Sequence, residues 1–379
     1  MRIIRGLKNL KKEHTPTVVT IGNFDGVHKG HQALLDLLFE KSEEFGARST
    51  LVTFEPQPRE FFAGALVPAR LSRFREKISL LRQYDLDQLF CMPFNLKTSE
   101  IPASWFVEEF LPKKLGAKCV IIGDDFQFGH NREGNYDLLA QAGKLLGYDV
   151  QNISTVLRDE SRISSTLVRE SLNSGNLDRA SDLLGYQYFI MGRVVYGRQL
   201  GRQLGFPTAN VKLQRYRAAL TGVFCVRVDG LEDRSIPGVA NIGIRPTVDG
   251  KEPLLEVHMI DYESNIYGKR IKVTFEHRIR EEMAFESLDA LKERIGEDLQ
   301  IAKKWFEDIY MFNRPGLLAF FFALALLIFG LDQWSKLVVV ESMELGDRSQ
   351  VFEFFAWVRC CLLYTSDAAD ERSSVDLGG

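Results

Sequence analysis

The sequence predicts an α/β domain built on a parallel sheet, then an antiparallel β-barrel closed by a helix, then an apolar tail. Three observations predict it. Strand-like and helix-like runs alternate as far as Gly185, the pattern of a parallel sheet covered on both faces. From Tyr188 to His277, strand-like runs follow one another with only glycine and proline turns between them, as in a barrel. The run Pro315–Leu331 carries no charge, at the lower edge of the length a membrane helix needs, about 17–25 residues.

Thr17–Ile21 is a β-branched strand. A glycine-rich turn follows it, then a helix over Gln32–Lys41 with Leu34, Leu35, Leu37 and Leu38. Thr50–Phe54, Leu89–Met92, Cys119–Ile122 and Asp149–Ile153 are further strands, with helices over Ser104–Leu111 and Tyr136–Leu146. In the barrel, the strands are Phe189–Tyr196, Gly222–Val228, Leu254–Ile260 and Arg270–Phe275. Leu288, Leu291, Ile295, Leu299, Ala302, Phe306 and Ile309 then recur at steps of three and four, which marks one amphipathic helix. The expected division is 1–185, 186–310, a hydrophobic tail over 311–360 with a membrane helix at about 315–331, and an unstructured 361–379.

Composition excludes several classes. The formal net charge is −3, with 45% apolar and 26% charged residues. That balance suits neither a nucleic-acid binder nor a disordered chain. The five cysteines form no CxxC pair, and the six histidines show no zinc-ligand spacing. Cys91, Cys119 and Cys225 lie in apolar runs, as core residues in a reducing compartment do. Met1–Arg5 lacks the apolar run of a signal peptide, so a cytoplasmic location is expected.

The first chemical string is Gly22-Asn23-Phe24-Asp25-Gly26-Val27-His28-Lys29-Gly30-His31, between a strand and a helix. Its glycines let a ligand approach the backbone, and a helix N-terminus favours phosphate. Two imidazoles there can stabilise charge building on a leaving pyrophosphate. The plain alternative is a turn whose histidines cap the helix. The HxGH string resembles that of the nucleotidylyltransferases, Rossmann-like enzymes, and Ile21–Gln32 is closer still to bacterial FAD synthetases. Phe54-Glu55-Pro56-Gln57-Pro58-Arg59, Gly123-Asp124-Asp125-Phe126-Gln127-Phe128-Gly129 and Ile163-Ser164-Ser165-Thr166-Leu167-Val168-Arg169 resemble that family's other signatures. The resemblance implies phosphate contacts from Gly22, Asn23, Phe24, Gly26, Gly30, Ser164, Ser165, Thr166 and Arg169. It implies flavin contacts from Phe54, Pro56 and Asp125. Taken alone, Ser164–Thr166 also fits a helix cap, Phe54–Pro58 a turn, and Asp124-Asp125 a solvated pair.

The second string is Gly201-Arg202-Gln203-Leu204-Gly205-Phe206-Pro207-Thr208-Ala209-Asn210. Gly201 and Gly205 suit a phosphate-contacting loop, and the oxygens of Thr208 and Asn210 are hard donors suited to Mg²⁺. A plain turn is the alternative. Gly-Phe-Pro-Thr-Ala-Asn resembles the riboflavin kinase signature, as do Ala240–Thr247, Leu255–His258 and Tyr267–Lys269. The resemblance implies that Glu256 is the base for a ribityl hydroxyl, and that Asn241 and Arg245 are loop residues near the flavin or nucleotide. His258 is read as structural. In this order, the two halves resemble the bifunctional bacterial riboflavin kinase/FAD synthetase family over about residues 1–310. It implies riboflavin, FMN and ATP as substrates, Mg²⁺ as cofactor, and FMN and FAD as products, with no nucleic-acid partner.

The tail differs. Met311-Phe312-Asn313-Arg314, the apolar run and Asp332-Gln333-Trp334-Ser335-Lys336 resemble the start of lipoprotein signal peptidase, without its catalytic aspartates. The segment from Cys361 fits no folded pattern and resembles translated adapter sequence. The favoured expectation is a truncated or artefactual fusion. The alternatives are an inner-membrane tether, with Lys303, Lys304 and Arg314 on the cytoplasmic side, and a helix buried in a core.

Overall fold

The computed structural model describes residues 1–64, 67–153, 157–158, 161–197, 201, 204–247, 250–312, 315–342, 348–352 and 355–358. The chain divides into two compact units, Met1–Trp305 and Phe306–Gly379.

The first unit opens with a six-stranded sheet: β1 (Arg2–Arg5), β2 (Thr17–Ile21), β3 (Arg48–Glu55), β4 (Gln88–Pro93), β5 (Ala117–Gly123) and β6 (Asp149–Ile153). Its spatial order is β1-β4-β3-β2-β5-β6, and every pairing is parallel. The chain winds outward from β2 through β3 to β4, then crosses to β5 on the other side of β2. That reversal makes a switch point between the carboxyl ends of β2 and β5, where open α/β sheets bind ligands. The loops that begin at Gly22 and Asp124 leave from those two ends.

Both faces of the sheet are covered. Val18, Leu51, Leu89, Cys119 and Ile121 pack against Leu35 and Leu38 of helix α1 (Lys29–Glu44). Beyond the short α2 (Pro58–Ala63), helix α3 (Phe74–Leu81) adds Leu80 and Leu81 to that layer. Val19, Val52, Phe90 and Val120 pack on the other face against Phe106 and Phe110 and against Leu139 of α4 (Tyr136–Leu146). Phe106–Lys114 is wound as a wide π-type turn rather than the α-helix expected there. Pro112 lies inside it and lacks an N–H to donate. A short hairpin of β7 (Leu157–Arg158) and β8 (Ser161–Arg162) follows β6. Helices α5 (Ser165–Asn173) and α6 (Leu177–Leu184) come next.

The second half is a closed antiparallel barrel, ordered β10-β13-β12-β11-β14-β9. Its strands are β9 (Phe189–Val195), β10 (Ala209–Lys212), β11 (Gly222–Asp229), β12 (Ile236–Thr247), β13 (Gly250–Met259) and β14 (Arg270–Arg280). The residues expected to form a loop around Asn241 and Arg245 are the body of β12 instead. Pro237, Gly238, Gly243 and Pro246 read as turn residues, yet Ala240 and Ile242 alternate into the core. Gly238 is there because a Cβ would lie 2.6 Å from the His258 carbonyl on β13. One apolar cluster runs from Val168, Leu172 and Leu184 of the preceding helices into Phe224, Val226 and Val257 of the barrel. The buried Cys91, Cys119 and Cys225 are free thiols in these cores.

Helix α7 (Leu288–Phe312) is held to the barrel by ions and rings. Arg280 of β14 meets Asp298 at 2.8 Å, and His277 stacks on Trp305 with centroids 5.7 Å apart.

The second unit contains α8 (Pro315–Ser342) and a hairpin of β15 (Arg348–Phe352) and β16 (Phe355–Val358). The stretch Phe320–Val338 is long and apolar enough to cross a membrane, and 0% of it is buried. Among the described residues none of this stretch is covered, against the reading of a helix buried in a core, and residues 320–331 carry no charge. The Asp332–Lys336 pair, at 2.6 Å, lies within the same helix. Residues 359–379 lie outside the described residues.

Candidate active sites

The first site forms where β2 passes into α1. His28 occupies the N-cap position of α1, yet its side chain makes no capping bond, so the simple capping alternative fails. The imidazoles of His28 and His31 stack with centroids 3.7 Å apart, and Phe24 stacks on His31 at 4.5 Å. Gly30 makes the stack possible: a Cβ there would sit 3.2 Å from the His28 ring and 3.3 Å from the Ile163 carbonyl. Both Nδ1 atoms are buried without a hydrogen-bond partner. Orphaned polar atoms of this kind call for a ligand or a catalytic role. Burial pushes the His28 pKa down to about 4 against the opposing pull of Asp25. Burial first, then the neighbouring His28 and Lys77, holds His31 well below its usual value.

The loop that carries these rings is strained. Phe24 (φ 46°), Gly26 (φ 83°) and Val27 (φ 40°) all take left-handed backbone, which is unfavourable for a β-branched residue. Asp25 anchors it. Its buried carboxylate accepts from the N–H groups of Leu71 (3.1 Å) and Ser72 (2.9 Å) and pairs with Arg169 at 2.7 Å. The Ser72 hydroxyl accepts from the Gly26 N–H at 2.8 Å, and the Tyr186 hydroxyl donates to the Gly26 carbonyl at 2.6 Å. Gly22 donates to the Val52 carbonyl at 3.0 Å, and Asn23 is half-buried beside it.

The Ile163–Arg169 string faces this loop. Ser165 donates to the Asp25 carbonyl at 3.0 Å. Ser164 is the N-cap of α5 and accepts from the Leu167 N–H, so its capping alternative holds. Thr166 is exposed. Arg169, read from sequence as a phosphate ligand, is engaged by Asp25 and by the Ala69 carbonyl.

A cavity of about 690 Å³ opens beside the site, with Ile21 at the end of β2 in its wall. Phe54, Phe62, Phe94, Phe106, Phe126 and Phe128 line it, and Phe126 stacks on Phe128 at 5.6 Å. Of the three expected flavin contacts, Phe54 lines it, and Pro56 and Asp125 do not. Pro56 is exposed. Asp125 is exposed and paired with Arg162 at 2.9 Å. The alternating aromatics of Phe126-Gln127-Phe128 were the available sequence signal for this wall. Lys77 had no such signal. It is fully buried on α3, donates to Thr53 Oγ1 at 3.2 Å, and is pushed down to about 8, chiefly by burial.

The second site lies on the barrel. Glu256 is the register partner of Asn210 on β10 and of Asn241 on β12. The three form one row across three strands. Their neighbours Ala209, Val211, Leu255, Val257, Ala240 and Ile242 alternate into the core, so the row points outward. Asn210 is nevertheless buried, because the chain at Gly197 lies on it: a Cβ at Gly197 would fall 2.2 Å from its amide. The Gly201–Phe206 turn closes through a 2.7 Å bond from Phe206 N–H to the Gly201 carbonyl. A Cβ on Gly201 would be 3.1 Å from Thr208 Oγ1. Gly205 takes φ 90° and is exposed. His258 sits 2.9 Å from the Pro207 carbonyl through Nδ1, fixing the turn as a structural residue would. The Arg245 side chain and residues 202–203 lie outside what is described. Among the described residues, no cluster of three His, Cys, Asp or Glu side chains stands ready for a metal.

Paired imidazoles at a switch point, joined to a barrel with a carboxylate between two amides, define a chain with two separate polar centres for nucleotide chemistry. A family model for FAD synthetase matches residues 10–167, and one for riboflavin kinase matches 184–306. A bifunctional riboflavin kinase/FMN adenylyltransferase from Pseudomonas fluorescens is 47% identical over 305 residues, covering 80% of this chain and 97% of the relative. The protein of the same name from Escherichia coli K12 is 45% identical over 307 residues, covering 81% and 98%. A crystal structure described as a macrolide-efflux protein from Streptococcus pneumoniae superposes with a TM-score of 0.66 at 27% identity, covering 80% of this chain and all of that one. The chain belongs to the bifunctional riboflavin kinase/FMN adenylyltransferase family. Helix α8 lies outside both matched regions.

Proposed function

We propose that the chain makes FMN from riboflavin at the barrel and FAD from FMN at the α/β domain, consuming ATP at each. In the barrel, Glu256 takes the proton of the ribityl 5′-hydroxyl as that oxygen attacks the γ-phosphorus of ATP, and ADP leaves. An alcohol is a poor nucleophile, so a positioned base raises the rate. Thr208 and Asn210 supply hard oxygens of the kind Mg²⁺ accepts beside nucleotide phosphates. They would hold the ion, whose charge would offset that of the phosphates. Gly201 and Gly205 let the turn approach those phosphates, with Asn241 and Arg245 toward the flavin or nucleotide.

At the α/β site, an FMN phosphate oxygen attacks the α-phosphorus of ATP, and the bond to the β-phosphate breaks to release pyrophosphate. No strong base is needed, because the nucleophile is already anionic. Positioning and charge stabilisation carry the step. His28 and His31 would donate to the triphosphate, with Gly22, Asn23, Phe24, Gly26, Gly30 and the Ser164–Thr166 turn around it. The phenylalanine-lined cavity would take the isoalloxazine. Arg169 acts here by fixing Asp25. The observation that carries the reading is the stacked imidazole pair, whose two Nδ1 atoms are buried without a partner, near a phenylalanine-lined cavity of about 690 Å³.

The test is to incubate the full chain with riboflavin, Mg²⁺ and ATP and to separate the flavins by chromatography. FMN followed by FAD is expected. Glu256→Gln should remove FMN formation by a factor of about 10²–10⁴ while FMN-to-FAD conversion continues. His28→Ala should lower FAD formation alone, by about 10²–10³-fold. Loss of both activities in either folded variant overturns this division of labour.

A further inference from the structure

The strained loop of the adenylyl-transfer site is held by the segment Arg70–Ser72, and that segment is held by the barrel. Its two edges face opposite ways. The N–H groups of Leu71 and Ser72 point at Asp25. The carbonyls of Arg70 and Leu71 accept from Nη1 of Arg215 at 2.9 and 3.3 Å. Arg215 comes from the turn between β10 and β11, within the region matched by the riboflavin kinase model. It is fully enclosed: its side chain and that of Glu76 are 1% and 2% exposed, and the two pair at 2.5 Å. Glu76 also accepts from the Met191 N–H of β9 at 2.8 Å and from the Arg73 N–H at 2.6 Å. Tyr188, also on the barrel side, donates to the Leu71 carbonyl at 3.2 Å and accepts from Arg215 at 2.9 Å.

We propose that Arg215 is a positioning residue for adenylyl transfer, although it belongs to the barrel half and touches no part of the histidine loop. It fixes Arg70–Ser72, these residues fix Asp25 and Gly26, and the loop presents His28 and His31. Left-handed backbone at Phe24 and Val27 persists only where surrounding contacts over-determine it, and this chain of contacts joins those of Arg169, Tyr186 and Ser165 in doing so. The inference rests on the adenylyl-transfer reading of the loop. If the unaltered chain converts no FMN to FAD, that reading fails; if it converts FMN and the variants below match it, this inference fails.

The experiment supplies FMN and ATP directly to the full chain, so that FAD formation is measured without the kinase step, and measures riboflavin phosphorylation separately. Arg215→Met should lower kcat for FAD formation at least 10-fold and leave the kinase kcat within about 2-fold. Arg215→Lys, which keeps a cation and one donor direction, should recover part of that loss. Removing one partner of a buried pair also destabilises, so the double variant Glu76→Gln/Arg215→Met separates the two roles. It should regain the melting temperature and not the FAD kcat. Tyr188→Phe keeps the ion pair and removes one bond to Leu71; a loss of a few-fold in FAD kcat with unchanged kinase is expected. Recovery of FAD kcat together with stability in the double variant, or an equal fall in both activities, overturns the proposal.

Discussion

His28 is neutral when folded because its ring has left water, and that state has a price in acid. Its pKa is about 4 folded and 6.5 in the free side chain. Between those values the unfolded chain binds more protons, so stability falls as pH falls. The contribution is complete above pH 6.5 and is lost on descending to pH 4, an effect of about 3 kcal/mol for this one ring. The lowered His31 acts in the same direction. Urea midpoints of the ligand-free protein should drop steeply from pH 7 to 4.5, and His28→Asn should flatten that slope. An identical slope in the variant would place the acid sensitivity elsewhere. The same ring shows what the sequence could reveal. The His28–Gly30–His31 spacing was legible because the chemistry needs those residue types side by side. The support beneath it was not: Asp25, Glu76, Lys77 and Arg215 are charges in a chain that is 26% charged, and nothing local says that these four are buried.

The elements with clean alternation or strong periodicity were legible almost to the residue. Thr17–Ile21, Tyr136–Leu146 and Asp149–Ile153 formed where the pattern placed them. β1 was missed because four residues flanked by arginines carry too little pattern. β12 was missed because its glycines and prolines look like punctuation, whereas Gly238 is there for close approach to β13. Glycine in helices makes the same point in measurable form. Gly296 in α7 has nothing within 4 Å of a would-be Cβ, so Gly296→Ala should stabilise by about 1 kcal/mol through helix propensity. Gly143 in α4 would place Cβ 2.4 Å from the Tyr148 carbonyl, just before β6. Gly143→Ala should therefore destabilise by about 1–3 kcal/mol despite the same propensity gain. Urea denaturation of the two variants should move the midpoint in opposite directions.

At the scale of the whole molecule, the two halves are joined by packing. The cluster that runs from α5 and α6 into the barrel and the Glu76–Arg215 pair tie them together. Helix α8 is a separate matter. A 19-residue apolar stretch with none of its surface buried is driven toward any apolar phase, and its length, about 28 Å at 1.5 Å per residue, is close to a bilayer core. The full chain should float with phosphatidylcholine vesicles in a density gradient, while a chain ending at Phe312 should stay in the aqueous layer and keep both activities. A full chain that stays behind would rule out the tether. The strand order carries a consequence of another kind. A closed barrel has no unpaired strand, so the open sheet is the only large one with exposed borders among the described residues. Those borders are β1, with Arg2 and Arg5 exposed, and β6, with Asp149 and Asn152 exposed. Crowded copies of the first unit therefore meet charge and amide where a bare apolar strand would have invited them to stack into aggregates.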